Sequence, residues 1–139
     1  MMSKKTVALS GGFDPIHIGH VRMIRDAARN YSVVIILNSD DWLMRKKGYV
    51  FMNWEERSEI LLAIKGVDNV YAVNDEDDTV CGALSNIKPD FFGNGGDRKN
   101  QNTPEVNLCE ENSIGMLWNL GGEKIQSSST LVGNQKKPE

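Results

Sequence analysis

The chain has 139 residues, 40% of them hydrophobic and 25% charged, which is the composition of an ordinary soluble protein with one core. Its net charge of −3 gives no general electrostatic reason to bind nucleic acid or an anionic membrane. No secretory leader and no bilayer-spanning stretch can be recognised, so we expect a cytoplasmic protein that binds neither nucleic acid nor membrane.

The first part of the chain alternates between strand and helix patterns. Residues 6–9 form a short apolar run that ends in S-G-G, which predicts a buried strand followed by a tight turn. From about Gly19 apolar residues recur at the spacing of a helix face: Val21, Ile24, Ala28 and Tyr31. Residues 32–37 are continuously apolar and mostly β-branched, which predicts a strand covered on both faces.

The segment 38–48 is polar and basic and is predicted to be a loop. A second helix is expected to begin after Asn53, with Glu56 completing a capping box and Gly66 ending the helix. Its buried face is predicted to contain Trp54, Ser58, Leu61 and either Ile64 or Lys65.

The rest of the chain continues the alternation. Strands are predicted at residues 70–73, 91–92 and 114–118, and helices at residues 80–87, about 104–111 and near Ser128. Alternating strands and helices predict an α/β fold: a single-domain, Rossmann-like open parallel sheet with helices on both faces. We assign residues 1–133 to this domain and residues 134–139 to a polar, frayed tail.

Ligands of such sheets bind at the carboxyl ends of the strands, where the connecting loops collect. The chemically distinctive stretches of this chain all follow predicted strands: residues 10–20, 38–48, 93–98 and 125–130. We therefore expect them to lie along one edge of the sheet.

The only two histidines of the chain, His17 and His20, lie in the first of these stretches, S-G-G-F-D-P-I-H-I-G-H. Gly11 and Gly12 are expected to allow a sharp turn and a close approach of ligand, and Gly19 lies at the start of the predicted helix. Unpaired backbone N–H groups at a helix start favour phosphate, and two imidazoles add further donors. This arrangement predicts a phosphate site, whereas the alternative is that both histidines only cap or pack the helix.

Residues 11–20 resemble the signature of the cytidylyltransferase-like nucleotidyltransferases, which are small Rossmann-type enzymes. Four further matches follow in the family's order: N-S-D at 38–40 with R-K-K-G at 45–48, N-x-x-x-R at 53–57, G-G-D at 95–97 and I-Q-S-S-S at 125–129. Together the five matches cover roughly residues 6–132. Within the family, the pattern is most similar to the nucleotidyltransferase domain of ADP-heptose synthases and next to glycerol-3-phosphate cytidylyltransferases.

The chain departs from that pattern at three positions. Asn94 replaces the lysine that the heptose enzymes usually carry before G-G-D, which removes one cation from the sugar-phosphate site. Arg98 follows the same motif where an aromatic residue is common, and Val132 stands where several relatives have arginine.

The resemblance implies an enzyme that joins a nucleoside monophosphate from ATP or CTP to a phosphorylated acceptor, such as heptose 1-phosphate, and releases pyrophosphate. It implies catalytic roles for four residues, His17, His20, Lys47 and Arg57. The nucleotide-binding residues that it implies are Gly11, Gly12, Phe13, Asp14, Gly19, Lys46, Gly95, Asp97, Ser127, Ser128 and Ser129. Mg²⁺ is expected to arrive with the triphosphate, and no side chain is assigned as a metal ligand. A homodimer is expected, since small relatives are often dimers.

Several alternatives remain open at this point. The acceptor could be glycerol 3-phosphate, or the protein could bind nucleotide without turnover. Either Lys46 or Lys47 could contact phosphate, although Lys47 matches the family better. Arg57 could instead form a structural salt bridge, and the serines at 127–129 could simply cap a helix.

Two further expectations concern Asp14 and the two cysteines. Asp14 is expected to hold its loop by bonding backbone N–H groups rather than by binding a metal. Cys81 and Cys109 form neither a C-x-x-C pair nor a disulfide framework, and we expect them to be buried or idle thiols.

Overall fold

The structure, a computed structural model, describes residues 4–96 and 103–122. Within these ranges strands and helices alternate. In chain order the elements are β1 (Thr6–Gly11), α1 (Ile18–Ala28), β2 (Ser32–Leu37), α2 (Asp40–Lys47), α3 (Trp54–Leu62), β3 (Val67–Ala72), α4 (Cys81–Ile87), β4 (Phe91–Gly93), α5 (Thr103–Glu111) and β5 (Gly115–Leu117). None of the described helices is long and apolar enough to cross a bilayer.

The five strands form one parallel sheet in the order β3-β2-β1-β4-β5, which confirms the predicted fold class. β1 lies in the centre and pairs along its full length with β2, from Thr6 opposite Ser32 to Gly11 opposite Leu37. Its other edge pairs with the short strand β4. The strand order reverses at β1, so the loop that follows β1 opens into the crevice where parallel α/β sheets bind ligands.

Helices cover both faces of the sheet. Val7 and Leu9 of β1 pack on one face against Ile24 of α1 and Leu61 of α3. The intervening Ala8 faces the other side, where it belongs to a cluster with Leu84 of α4 and other buried residues. This two-sided burial explains why β1 and β2 have continuous apolar runs instead of the alternation of a half-exposed strand.

The helix α2 corrects the predicted loop at residues 38–48. Its start is capped by Ser39, whose hydroxyl accepts a hydrogen bond from the Trp42 N–H at 3.0 Å, and its end by Gly48 with φ of 82°. Acidic residues occupy its first turn and basic residues its last, as the helix dipole favours. Only Leu43 is buried, so no apolar periodicity indicated the helix.

The remaining boundaries differ from prediction by a few residues. α3 begins after Asn53, which accepts a hydrogen bond from the Glu56 N–H at 2.9 Å as expected, but it ends at Leu62. Gly66, with φ of 103°, shapes the turn into β3. β3 begins at Val67, three residues before the predicted start, which was missed because the exposed polar residues Asp68 and Asn69 interrupt the apolar pattern. The helix expected near residue 128 and the tail at 134–139 lie outside the described residues.

Candidate functional site

The loop between β1 and α1, together with the first turn of α1, is here called the histidine turn (residues 11–20). The turn at its two glycines does not depend on a glycine-only backbone conformation, and the expected close approach of ligand stays a prediction. The left-handed residue in the turn is Phe13, with φ of 51°, and neither glycine has a positive φ. A Cβ on Gly12 would lie 2.8 Å from Leu43, and one on Gly11 would lie 3.3 Å from the Phe13 ring. The glycines therefore let α2 and Phe13 pack against the turn.

The two histidine rings are stacked at the start of α1. Their centroids are 3.9 Å apart and their planes differ by 23°. His17 is the N-cap, and its Nδ1 accepts a hydrogen bond from the Gly19 N–H at 3.0 Å. The Nδ1 of His20 accepts from the His17 N–H at 3.2 Å, which completes a capping box built from two imidazoles.

These contacts assign the tautomer of both rings. A ring nitrogen that accepts a hydrogen bond carries no proton, so each neutral imidazole has its proton on Nε2. The pair therefore contributes two Nε2–H donors beside the N-terminus of α1, and a second proton on either Nδ1 would break the cap. Phe13, which is 3% exposed, packs against His20 with ring centroids 4.7 Å apart and so supports this ring from behind.

Asp14 fastens the histidine turn to the segment after α2. Its carboxylate, 1% exposed, accepts hydrogen bonds from the Phe51 and Met52 N–H groups, each at 2.7 Å. The expected bonding to backbone N–H groups is therefore present, although the donors lie 37 and 38 residues away rather than in the same turn. The carboxylate is thus fully engaged by the protein.

The two candidate lysines of α2 are placed differently. The Lys47 ammonium donates to the Asp14 backbone carbonyl and lies 3.5 Å from the Asp14 carboxylate. The Lys46 ammonium lies 5.7 Å from the centroid of the Trp42 ring. Of the two, Lys47 is the one whose charge the structure brings to the histidine turn, and its contact with phosphate remains a prediction.

Arg57 lies at the centre of a buried junction and has no exposed surface. Its Nη1 donates to the backbone carbonyls of Gly12 at 2.7 Å and Asn38 at 2.9 Å. Its Nε donates to the Met52 carbonyl at 2.9 Å, and its Nη2 to the Asp40 carboxylate at 2.6 Å. The structure therefore contains the structural salt bridge that was considered for Arg57, with Asp40 as its partner, and a catalytic role of Arg57 stays a prediction.

A second buried charge, Asp75, was missed by the sequence analysis. Its carboxylate, 3% exposed, accepts hydrogen bonds from the Asn38 side chain at 3.0 Å, the Ser39 N–H at 2.8 Å and the Ser39 hydroxyl at 2.6 Å. Burial alone would raise the pKa of Asp75, but these hydrogen bonds outweigh it and hold the pKa below its ordinary value. No pattern distinguished Asp75 from the neighbouring acids in N-D-E-D-D.

The described part of the loop after β4 contacts β5 and α1. The Asn94 side chain donates to the Leu117 carbonyl at 3.4 Å and ties the end of β4 to β5. A Cβ on Gly95 would lie 3.2 Å from the Met23 sulfur, so α1 passes close to this loop. The predicted site residues Asp97, Ser127, Ser128 and Ser129 lie outside the described residues.

Both cysteines are free thiols, as expected, and lie away from the histidine turn, on α4 and α5. Burial raises the pKa of Cys109 to about 11 and also raises the pKa of Cys81. Protonated thiols are poor nucleophiles. Within residues 4–96 and 103–122, no group of three or more histidine, cysteine or acidic side chains is placed to hold a metal ion.

Comparison with known proteins identifies similar sequences. The sequence profile of the family described as cytidylyltransferase-like matches residues 8–133. The chain is 32% identical over 114 residues to the Bifunctional protein HldE of Aliarcobacter butzleri and 37% identical over 108 residues to that of Streptomyces coelicolor. These matches cover 79% and 76% of this chain but only 23% of each relative, so the chain spans less than a quarter of their length.

A solved structure supports the fold. The lipopolysaccharide core biosynthesis protein from Thermoplasma volcanium has a TM-score of 0.69 and 17% sequence identity, over 88% of this chain and 98% of that protein. At this level of identity the likeness concerns the arrangement of strands and helices alone.

Proposed function

The chain belongs to the cytidylyltransferase-like family, and from that premise we propose that it is a nucleotidyltransferase acting on a sugar phosphate. It would join the nucleoside monophosphate of ATP, or of CTP, to an acceptor such as heptose 1-phosphate and release pyrophosphate. The similarity to HldE proteins and the heptose-like motif order support this choice of acceptor class.

One observation carries the proposal: the pair of Nε2–H donors that His17 and His20 hold at the start of α1. Both rings are held by hydrogen bonds to their Nδ1 atoms, which fixes the direction that the Nε2 edge of each ring faces. Preorganised donors beside the positive end of a helix dipole suit a phosphate chain. Such donors stabilise developing charge by about 3–4 kcal/mol when they point at the correct oxygen.

The reaction needs no protein nucleophile. An oxygen of the acceptor phosphate attacks the α-phosphorus in line, a new O–Pα bond forms, and the bond between Pα and the oxygen bridging to Pβ breaks. The electron pair of that bond leaves with pyrophosphate. Positioning and charge neutralisation are then the work of the protein. We assign His20 to the α-phosphate or the leaving oxygen and His17 to the rest of the triphosphate.

Lys47 supplies the cation of the site in this proposal. Its ammonium rests on Asp14 in the structure, 3.5 Å from a carboxylate that two backbone N–H groups also neutralise. Because these N–H groups remain when the lysine moves, Lys47 can leave Asp14 for a phosphate without stranding a buried charge. Lys46, exposed one residue earlier, is a weaker candidate for the same role.

Mg²⁺ enters the proposal with the nucleotide. Asp14, the carboxylate nearest to the histidines in the chain, already accepts two N–H groups and lies beside Lys47, which makes it a poor metal ligand. The donor set fits a magnesium ion held by phosphate oxygens and water rather than by a protein cage. When bound, the ion would neutralise charge on the leaving pyrophosphate.

The test is pyrophosphate release in the presence of Mg²⁺. ATP and CTP are each combined with heptose 1-phosphate and with glycerol 3-phosphate, which gives four pairs. We expect release with a heptose 1-phosphate pair, and the nucleotide of that pair identifies the base specificity. Pyrophosphate release only with glycerol 3-phosphate would show that the acceptor is an alditol phosphate.

The control variant is His20→Glu. A glutamate at this helix position can still accept the His17 N–H, because glutamate is the usual partner in a capping box. It replaces the Nε2–H donor with a negative charge, so we expect an intact fold and a loss of turnover. Nucleotide binding without release for any of the four pairs would favour a protein that binds nucleotide without turnover and would contradict the proposal.

A further inference from the structure

The position of α2 depends on contacts outside the helix itself. α2 has eight residues and buries only Leu43, and isolated helices of this length are at best marginally stable in water. Leu43 packs against the histidine turn, where a Cβ on Gly12 would lie 2.8 Å from its side chain. At the end of α2, the Lys47 ammonium donates to the Asp14 carbonyl. The contacts that hold α2 therefore also determine where Lys47 lies.

The start of α2 is attached to the loop after β3, residues 73–80. The Asp75 carboxylate in this loop accepts hydrogen bonds from the Ser39 N–H at 2.8 Å and from the Ser39 hydroxyl at 2.6 Å. The same hydroxyl accepts the Trp42 N–H at 3.0 Å as the cap of α2. Because the hydroxyl proton points at Asp75, its lone pairs remain available to the helix. Asp75 therefore orients the N-cap of α2 as well as anchoring it.

A second attachment lies nearly two turns further along α2. The Arg45 Nη2 donates to the Asp75 carbonyl at 2.6 Å and to the Asp78 carboxylate at 3.1 Å. Residue 75 thus holds the start of α2 with its side chain and the last turn with its backbone. Asp75 is 3% exposed and the Arg45 side chain 41% exposed, so water weakens the second attachment more than the first. The carboxylate of Asp75 is therefore the attachment to test.

We propose that Asp75 is a positioning residue, which places the Lys47 ammonium at the histidine turn by holding α2. This inference rests on the proposed function. Asp75 acts without touching substrate, because its carboxylate is buried and accepts three hydrogen bonds from the protein. Lys47 lies eight residues beyond Ser39, about 12 Å along the helix, so a change of tilt at the start moves the ammonium. Misplacing a catalytic group by about 1 Å can cost 100-fold in rate.

The experiment is a double-mutant cycle between Asp75→Asn and Lys47→Met, with pyrophosphate release as the readout. Asparagine has nearly the shape of aspartate, but its NH₂ group donates where the carboxylate accepts. We expect Asp75→Asn alone to lower kcat/KM by about 10- to 100-fold. In the Lys47→Met background the same substitution should cost less than about 2-fold, because the group that it displaces is already absent. An equal loss in both backgrounds would show a merely structural role and overturn the inference.

Glu76→Gln is the matched control, because Glu76 is exposed, adjoins Asp75 and loses the same charge. Its described hydrogen bond uses the backbone N–H, which the variant keeps. Ser39→Ala removes the hydroxyl that Asp75 orients, and so tests the same attachment if Asp75→Asn does not fold. Ser39→Thr restores the hydroxyl and should restore the rate. A loss in Glu76→Gln as large as in Asp75→Asn, or an unmodified rate in Ser39→Ala, would contradict the proposal.

A second readout needs no turnover: the backbone amide resonances of Lys47 and of the histidine turn in NMR spectra. We expect Asp75→Asn to shift these resonances and Glu76→Gln to leave them in place. Unmoved Lys47 resonances in Asp75→Asn would overturn the inference. Shifted resonances in a chain that releases no pyrophosphate would support the placement of Lys47 by Asp75 and count against the proposed reaction. Pyrophosphate release that Asp75→Asn leaves unaffected would do the reverse.

Discussion

At the scale of single residues, the two histidines cap α1 with one ring nitrogen, and in the proposed function the other ring nitrogen of each binds phosphate. Nδ1 of each ring caps the backbone of α1, whereas Nε2 carries the proton. A substitution therefore removes two interactions at once unless the replacement is chosen to keep one of them. Serine is a favoured N-cap residue and has no donor at the distance of Nε2, so it separates the tasks at position 17.

We predict that His17→Ser lowers turnover by about 10²- to 10³-fold and changes the free energy of unfolding by little. His17→Ala should lower turnover equally and cost an additional ~1 kcal/mol of stability, because the alanine leaves the Gly19 N–H without its acceptor. Urea unfolding and pyrophosphate release measure the two effects. Turnover of His17→Ser at the unmodified rate would assign His17 to capping alone.

At the scale of elements, Arg57 joins three segments that are distant in sequence. Arg57 lies on α3. Its guanidinium donates to the Gly12 carbonyl after β1, to the Asn38 carbonyl after β2 and to the carboxylate of Asp40, the first residue of α2. The histidine turn and α2 are thereby held at fixed positions by one side chain. Through these carbonyls Arg57 contacts the histidine turn and the start of α2, and the catalytic role that the family resemblance implies for it stays a prediction.

We expect Arg57→Met to lower the free energy of unfolding by about 2–4 kcal/mol, since one buried and two partly buried carbonyls lose their only described side-chain donor. Urea unfolding gives the value. Arg22→Met, at an exposed position of α1, serves as the control and should change stability by less than ~0.5 kcal/mol. A loss in Arg57→Met no larger than in Arg22→Met would show that the junction contributes nothing.

Asp75 makes the same region sensitive to acid. The pKa of Asp75 is lowered in the folded state, so the unfolded chain binds more protons at low pH. The ionised carboxylate therefore stabilises the folded chain above pH 3.8, the ordinary pKa of an aspartate, and this stability is lost as the pH falls below 3.8. The variant Asp75→Asn has no carboxylate to protonate at this position. The urea concentration at its unfolding midpoint should therefore fall less between pH 5 and pH 3 than that of the unmodified chain. Parallel pH profiles would contradict the assignment.

The elements that the sequence predicted well are those with a local apolar pattern. β1 and β2 are continuous apolar runs buried on both faces, and α1 repeats apolar residues along one helix face. α2 buries only Leu43, so the only sequence features that indicated a helix here were its capping residues and the charges at its two ends. A structural salt bridge was considered for Arg57, but its partner could not be identified, and Asp75 was missed altogether. Apart from the Met52 carbonyl, the partners described for these two residues lie 17 to 45 residues away, and no local pattern records such contacts.

At the scale of the whole molecule, the fold brings three segments together at the carboxyl edge of the sheet, and the proposed phosphate site lies where they meet. The histidine turn lies centrally, α2 lies on one side, and the loop after β4 lies on the other. The predicted serine cradle at residues 127–129 lies outside the described residues. A ligand that engages several of these loops at once binds the folded chain alone, so its affinity adds to global stability.

We therefore predict that Mg²⁺ with the correct nucleoside triphosphate raises the melting temperature. A ligand at 100 times its dissociation constant adds about 2.7 kcal/mol. With an unfolding entropy of about 2.1 cal/mol/K per residue, the 139 residues of the chain give a shift of roughly 9 °C. Differential scanning calorimetry measures it.

EDTA should reduce the shift, because the triphosphate then brings its full negative charge to a site with few cations. His20→Glu should nearly abolish it, and an undiminished shift in that variant would place the triphosphate away from the histidine turn.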